Sequence, residues 1–252
     1  MRQKRIIINA DDCGISHTVN EHIEKAILAG RITSTTVMAN MDDFEGAIEL
    51  YKKYSEDISF GWHVNLTQGA PLLYSQLLLD KGFYEESGQG VVMNGRKFMR
   101  RWLSLSMRQE IKKELLTQYT KLRDNGINIS HIDSHHHIHT SVWALALMPE
   151  VLKETGVKAM RNIYNNVPRS FSLFLRKGWA EAMKLQVWEL KMPDVLCGFE
   201  EFVSKGLTVR KNIIELECHP GHPKYAKEES LLFDFRLGKE YALINYRRLF
   251  NH

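Results

Sequence analysis

Histidine and aspartate side chains are concentrated in four short segments of this 252-residue chain, and five of its 11 histidines lie between His131 and His139. Imidazole nitrogens and carboxylate oxygens bind zinc and other divalent ions, which activate water for hydrolysis. Each segment follows or ends a predicted strand, and sites in parallel α/β folds form at the carboxyl ends of strands. The pattern therefore predicts a metal-dependent hydrolytic site. The segments are residues 9–12, 61–65, 131–139 and 217–221.

An acidic pair, Asp11 and Asp12, directly follows an apolar run that includes Ile6, Ile7 and Ile8. Adjacent side chains of a strand point to opposite faces, so one carboxylate can bind a metal while the other faces the substrate as a base. This division also keeps two like charges out of one spot. The alternative is that the pair caps the next helix or forms an ion pair.

Two further segments each offer a histidine. His63 and Asn65 share a face if their strand is extended, so Asn65 can orient His63 or contact the substrate. His219 precedes Pro220 and Gly221, a turn signal that ends the strand and leaves the ring over the site as a general acid. The alternatives are a buried structural role for His63 and a surface turn position for His219.

The run from residue 131 to 139 places alternate residues on one face if it is extended. That face would carry imidazoles and the carboxylate of Asp133, and the members of this face are His131, Asp133, His135, His137 and His139. The alternative is a solvated, histidine-rich turn that binds metal only adventitiously.

Elements of alternating type must position these segments. Apolar runs predict strands over residues 5–10, 35–39, 58–66, 127–133, 157–160 and 212–218. Helical spacing predicts a helix between Ser16 and Gly30, and others over residues 108–125, 149–155 and 169–184. Such alternation favours an α/β fold with a largely parallel sheet. Residues 71–106 are irregular and aromatic-rich, and we interpret them as an insertion or lid, or else as a small packed subdomain.

Composition excludes several functional classes. The net charge of +4 is too small to indicate a nucleic-acid partner. Three cysteines without a CxxC pair support neither a disulfide framework nor a structural zinc site. The N-terminus lacks the apolar core of a signal peptide, and no apolar run reaches the length of a membrane helix. We therefore expect a cytoplasmic protein without a membrane partner, and a homodimer is left open.

The four segments, in this order, resemble the YdjC-like carbohydrate deacetylases, the family that includes chitooligosaccharide (chitin disaccharide) deacetylase. The resemblance also takes in residues 34–40 and 71–72, and so runs nearly the length of the chain. It implies a TIM-like (β/α) barrel, closed or incompletely closed, as a single domain over residues 1–252. It further implies a hydrolase that removes the acetyl group from N-acetylated amino sugars of the chito-oligosaccharide type through a metal-activated water.

The resemblance also implies roles for individual residues. The metal ligands would be Asp12, His63 and His135. Asp11 would be the base, His219 the acid for the leaving amine, and Arg161 the partner of Asp11. The family suggests Mg²⁺, whereas the ligand types suit Zn²⁺ or another transition ion. The residues left for substrate or supporting roles are Asn65, Asp133, His137 and His139, and aromatic side chains of residues 71–106 could stack on sugar rings.

Some positions depart from the family pattern. Cys13 stands where an aromatic residue is usual, so a thiol beside the metal could bind it or oxidise, and Trp62 is bulkier than the expected aliphatic residue. Residues 140–216 match the family only loosely.

Two rival functions remain: another metal-dependent hydrolase, such as a phosphoesterase or amidohydrolase, and a non-catalytic sugar-binding protein. The rival hydrolases commonly carry His-x-His on the first strand, where this chain has Asp11 and Asp12.

Overall fold

The computed structural model describes residues 3–88, 90–100, 103–162, 171–205 and 212–249, in which strands and helices alternate. The strands are β1 (Lys4–Cys13), β2 (Ser34–Val37), β3 (Ser59–Val64), β4 (Tyr84–Ser87), β5 (Gly90–Met93), β6 (Ile132–Ser134), β7 (Val195–Gly198), β8 (Ile213–Cys218) and β9 (Tyr241–Leu243). The helices are α1 (His17–Leu28), α2 (Phe44–Tyr54), α3 (Gln76–Asp80), α4 (Gly95–Arg100), α5 (Leu105–Asp124), α6 (Val142–Thr155), α7 (Phe171–Gln186), α8 (Phe199–Lys205) and α9 (Ala226–Asp234).

The main sheet is parallel and forms a half-barrel in the order β6-β3-β2-β1-β8-β7, with β9 paired to the start of β1. In its register, Asn9 lies opposite both Ser34 and Glu217. Because parallel strands end at a common edge, the ends of β1, β3, β6 and β8 come together. The prediction of an α/β fold with a largely parallel sheet is confirmed.

Strand β1 runs through the centre of the protein and is buried on both faces, as its three isoleucines predicted. Ile6 and Ile8 pack into the main hydrophobic core. Ile7 points the other way and packs with Ala159 and Tyr246 in a second, smaller cluster. A segment close to the C-terminus therefore lies against the inner face of the first strand.

Helix ends follow the predicted signals. Ser16 caps α1, as predicted, by accepting a hydrogen bond from the Val19 amide at 3.3 Å. Ser104, which was not predicted, caps α5 in the same way, so that helix begins three residues before the predicted position. Gly156 ends α6 in the left-handed conformation that glycine adopts without strain. Local side-chain chemistry therefore sets where these helices begin and end.

Several predicted strands are shorter in the structure. Of residues 127–133, only the last two belong to β6. Residues 157–160 contribute only single parallel bridges, from Met160 to Ile132 and from Ala159 to Lys191. Strands β7 and β9 were not predicted. Of the predicted helix over 169–184, the first two residues lie outside the described residues.

The segment over residues 71–106 is a packed subdomain rather than a lid of stacking aromatics. It contains α3, the antiparallel pair β4–β5 and α4. Phe83, Tyr84 and Phe98 are buried, and the rings of Phe83 and Phe98 meet edge to face with centroids 5.0 Å apart. These three aromatic side chains therefore belong to the core, and the prediction that they stack on sugar rings is wrong. Tyr74 is exposed, whereas Trp102 lies outside the described residues.

None of the described helices combines the length and apolar character that crossing a membrane requires.

Candidate active site

The end of β1 turns both aspartates toward one cavity. Ala10 pairs with Thr35 and Cys13 with Val37, so β1 carries one more residue than β2 over this stretch, which is a β-bulge. Asp12 sits in this bulge with φ of 67°, a left-handed conformation that is uncommon outside glycine. The expectation that Asp11 and Asp12 point to opposite faces is wrong because the bulge rotates Asp12 to the side of Asp11.

Asp12 meets two histidines from other strands. Its Oδ1 lies 3.1 Å from His63 Nε2 and 2.8 Å from His135 Nδ1. One ligand atom from each residue lies within 4.8 Å of the others, and all three side chains are buried. One carboxylate and two imidazoles converging in this way fit a divalent ion and leave coordination positions for water and substrate. The three predicted ligands are therefore brought together.

His135 also contacts Gln68, a residue that the sequence patterns did not single out. Gln68 Oε1 lies 3.0 Å from His135 Nε2. The loop that carries Gln68 is organised by Asn65, which accepts from the amides of Thr67 and Gln68 and donates to the Gln68 carbonyl at 2.7 Å. Asn65 is fully buried and does not line the cavity, so its predicted substrate contact is not supported.

The histidine run is not an extended strand. Strand β6 ends at Ser134, and residues 135–140 form a 3₁₀ turn with left-handed backbone at His136 and His137. The predicted alternation is therefore wrong beyond Ser134. The turn brings His137 to the cavity, whereas His139 is buried, with Nδ1 2.5 Å from Ser134 Oγ. His131 is buried too, stacked on Tyr246 with centroids 3.5 Å apart.

Asp133 supports the site from beneath. It is fully buried and accepts hydrogen bonds from Thr36 Oγ1 at 3.0 Å and from His63 Nδ1 at 2.7 Å. A carboxylate on one imidazole nitrogen fixes the ring so that the other nitrogen faces the metal position. Asp133 thus orients His63, and the expectation that Asp133 or His139 contacts the substrate is not supported by their burial.

The Arg161 guanidinium forms a bidentate ion pair with Asp11. Nη1 donates to Asp11 Oδ2 and Nη2 to Oδ1, each at 2.6 Å. Burial raises the pKa of Asp11, but the Arg161 charge outweighs it and holds that pKa well below its usual range. Asp11 is therefore kept ionised beside the Asp12 group.

Arg161 is itself held by groups that the sequence patterns did not reveal. Its Nε donates to Glu215 Oε1 at 2.8 Å, and Tyr246 donates to the other oxygen of Glu215 at 2.6 Å. Burial raises the pKa of Glu215 to about 7, although Arg161 opposes the change. The alternation of Glu215 and Glu217 in β8 was the available signal, since both carboxylates fall on one face of that strand.

His219 lies at the cavity wall beside Asp11, with its Nε2 4.0 Å from Asp11 Oδ2. Glu228, from α9, accepts from the His219 backbone amide at 2.6 Å and lies 3.3 Å from Nδ1. The ring stacks on Tyr225 with centroids 4.2 Å apart. Burial lowers the pKa of His219, but Glu228 and Asp11 raise it to about 9. His219 is therefore held as a cation that can give up a proton.

Cys13 and Trp62 face away from these groups. Cys13 is fully buried, its Sγ donates to Asn20 Oδ1 at 3.4 Å, and burial raises its thiol pKa to about 12. Trp62 is buried with its indole N–H donating to Gln118. The thiol therefore belongs to the packing behind β1, and the expectation that it could bind the metal is not supported.

A cavity of about 590 Å³ opens over these residues. Its lining combines the predicted metal and acid–base residues with residues of β8 and of the segments in and beside α8 and α9. The lining includes Asp11, Asp12, His63, His135, His137, Glu200, Glu217, His219, Tyr225 and Glu228.

Known proteins resemble this chain in both sequence and structure. A curated relative from Vibrio parahaemolyticus serotype O3:K6 (strain RIMD 2210633), named carbohydrate deacetylase, is 27% identical over 225 residues, which are 86% of this chain and 78% of that relative. One of the same name from Halalkalibacterium halodurans is 28% identical and covers 97% of each chain. The match to another, from Brevibacillus brevis, is 36% identical but spans 59% of this chain and 54% of that relative.

A solved structure from Enterococcus faecalis V583, described as a candidate cellobiose-phosphate cleavage protein, superposes with a TM-score of 0.74 at 20% identity, covering 98% of this chain and 99% of that one. At this identity the likeness shows the shared fold. A family model described as YdjC-like protein matches residues 5–249. By that match over nearly the whole sequence, the chain belongs to the YdjC-like protein family, as its motifs predicted.

Proposed function

We propose that this protein is a metal-dependent carbohydrate deacetylase that hydrolyses the acetamido group of N-acetylated amino sugars of the chito-oligosaccharide type. The observation that carries the proposal is the convergence of Asp12, His63 and His135 beside an Arg-paired Asp11. The names of the curated relatives agree with this reaction. A binding module would not need an ionised carboxylate next to the ligand group, so Asp11 favours catalysis.

The donor set determines which ions suit the site. Two imidazoles and one carboxylate suit Zn²⁺ or another transition ion, whereas the family resemblance favours Mg²⁺. Bound by Asp12, His63 and His135, such an ion would polarise the acetyl carbonyl and lower the pKa of a water molecule. We take Mg²⁺ as the first ion to test and Zn²⁺ as the second.

Asp11 and His219 are proposed to move the protons. Asp11 accepts a proton from the attacking water at one of its carboxylate oxygens, and the Arg161 fork keeps it oriented and ionised. His219 gives a proton to the departing sugar amine. Its Nε2 lies 4.0 Å from Asp11 Oδ2 and both residues line the cavity, so the acid and the base face the same space. Glu228 on the other nitrogen holds the ring in place and favours its charged form.

Architecture and setting complete the proposal. Bridges from Ile132 to Met160 and from Ala159 to Lys191 extend the sheet beyond β6, which supports an incompletely closed TIM-like barrel. Motifs drawn from both ends of the chain into one site support a single domain over residues 1–252. The three cysteines are buried as thiols, which supports a cytoplasmic location.

The proposal is tested by measuring acetate release. The protein is stripped with a chelator, and acetate is assayed with N-acetylglucosamine and N,N′-diacetylchitobiose after adding back Mg²⁺ or Zn²⁺. We expect release that depends on the added ion and is lost in Asp11→Asn. Release of phosphate from sugar phosphates without release of acetate would indicate the rival phosphoesterase. Sugar binding without turnover under any ion would indicate a binding protein.

A further inference from the structure

Two polar atoms beside the cavity have no hydrogen-bond partner among the described residues. They are Oε2 of Glu217 and Nδ1 of His137, and both are buried. Both residues line the cavity. Buried polar atoms are normally paired, because leaving a donor or acceptor unsatisfied costs free energy. Groups left this way at the wall of a site are candidates for pairing with a ligand.

The two side chains face each other across a short gap. His137 Nε2 lies 3.6 Å from Glu217 Oε2, a distance too long for a hydrogen bond between the two atoms. Glu217 Oε2 also lies 3.5 Å from Arg161 Nη1, the nitrogen that donates to Asp11 Oδ2 at 2.6 Å. One guanidinium nitrogen therefore lies between Glu217 and the proposed base, so Glu217 is next to the position that the proposed reaction gives to the acetamido group.

The backbone at His137 is held in an unfavourable conformation. Its φ of 53° and ψ of 34° are left-handed, and the preceding His136 has the same conformation. Non-glycine residues in this region carry strain, which persists where the surrounding structure imposes it and is common at ligand-binding positions. The turn is what brings the His137 ring to Glu217 rather than leaving it on the line of β6.

We propose that Glu217 and His137 together bind a ring hydroxyl of the sugar that carries the acetamido group. A hydroxyl both donates and accepts, so it can donate to the unpaired Glu217 Oε2 and accept from the imidazole N–H of His137. The negative charge of Glu217 disfavours a phosphate at the same position. This inference rests on the proposed function, and it adds Glu217 as a specificity-determining residue of that site.

The test compares the parent sugar with analogues that lack one hydroxyl. Acetate release is measured for wild type, Glu217→Ala, Glu217→Gln and His137→Ala with N-acetylglucosamine and its 3-deoxy and 4-deoxy analogues. In wild type we expect one analogue to lower kcat/KM about 10- to 100-fold, the range for a hydrogen bond to a charged group. In Glu217→Ala and in His137→Ala the difference between the parent and that analogue should become smaller, because each variant removes one of the two partners of the hydroxyl. Glu110→Gln is the control, since Glu110 lies on α5 outside the cavity lining and is paired with Lys113 at 2.6 Å.

Two results would overturn the inference. One is an equal loss for the parent and both analogues in Glu217→Ala and in Glu217→Gln, which would mean that Glu217 acts only through Arg161. The other is a wild type that does not distinguish the analogues. If wild type releases no acetate, the proposed function fails. The same comparison is then made with dissociation constants from calorimetry, where equal affinities for all three sugars, or no binding, refute the hydroxyl contact.

Discussion

The charge of Glu228 should set the alkaline limit of the reaction through His219. In the wild type, the His219 backbone amide donates to Glu228 Oε1 at 2.6 Å. Glu228→Gln removes the charge but keeps an oxygen that can accept this hydrogen bond. Burial lowers the pKa of His219, and the carboxylates around it raise it to about 9, against an ordinary value of 6.5. With Glu228 neutralised, burial is opposed mainly by Asp11, and we expect the pKa to fall toward 6.5.

The size of the effect follows from the protonated fraction of the acid. At pH 8 a group with a pKa near 9 is about 90% protonated, and one with a pKa near 6.5 is about 3% protonated. Acetate release at pH 8 should therefore fall about 30-fold in Glu228→Gln. Below pH 6 the variant should approach the wild-type rate, since His219 is protonated in both.

The assay is the pH profile of kcat/KM for acetate release between pH 5.5 and 10. The matched control is Glu229→Gln, because Glu229 is the next residue of α9 and bonds the Gly221 amide and His22 rather than His219. In Glu229→Gln, the alkaline limb of the kcat/KM profile should lie at the same pH as in the wild type. An unmoved limb in Glu228→Gln, or an equal shift in both variants, would refute the assignment of His219 as the acid.

Three other predictions concern the base, the metal ligands and the packing beneath the site. Asp11→Asn should keep its metal by elemental analysis while turnover falls about 10²- to 10⁴-fold, and wild-type acetate release would show that Asp11 is not the base. His63→Ala and His135→Ala should each lose stoichiometric metal, and full occupancy in either variant would exclude that residue as a ligand. Gly61→Ala should lower the free energy of unfolding in urea by about 1–3 kcal/mol, since overpacking costs this much and the added Cβ would lie 2.5 Å from a buried imidazole. Gly88→Ala should change it by less than about 0.5 kcal/mol, because no atom of the described residues, apart from the chain neighbours, lies within 4 Å of the added Cβ.

The bulge at the end of β1 explains how one strand supplies two different carboxylates. Asp11 follows the regular alternation and shares a face with Asn9, which donates to it at 2.8 Å. Asp12 reaches the same cavity only because its backbone is left-handed. A regular strand would have sent Asp12 into the packing behind the sheet. The strain at this residue is therefore the structural means of placing the proposed metal ligand next to the proposed base.

Local patterns in the sequence were sufficient for the α/β fold class and for the polar groups that the candidate site brings together. The isoleucine run predicted a strand buried on both faces, and Ser16 predicted the start of α1, because both depend on residues close in the chain. The four segments at strand ends also predicted which residues would meet, since parallel strands end at a common edge. The order of these four motifs along the chain was enough to indicate the family.

The direction of individual side chains was decided only by the tertiary structure. The histidine run bends after Ser134, and Asn65 turns into its own loop, so neither followed the alternation of an extended strand. Asp12 and His135 are 123 residues apart in sequence, and Glu217 acquires its neighbours from a distant turn. Periodicity reports which residues are apolar, but the orientation of a polar side chain at a strand end depends on local backbone dihedrals and on partners from other elements. The amino-acid sequence thus determined which chemical groups the site contains, and the packed chain decided which of them face the cavity.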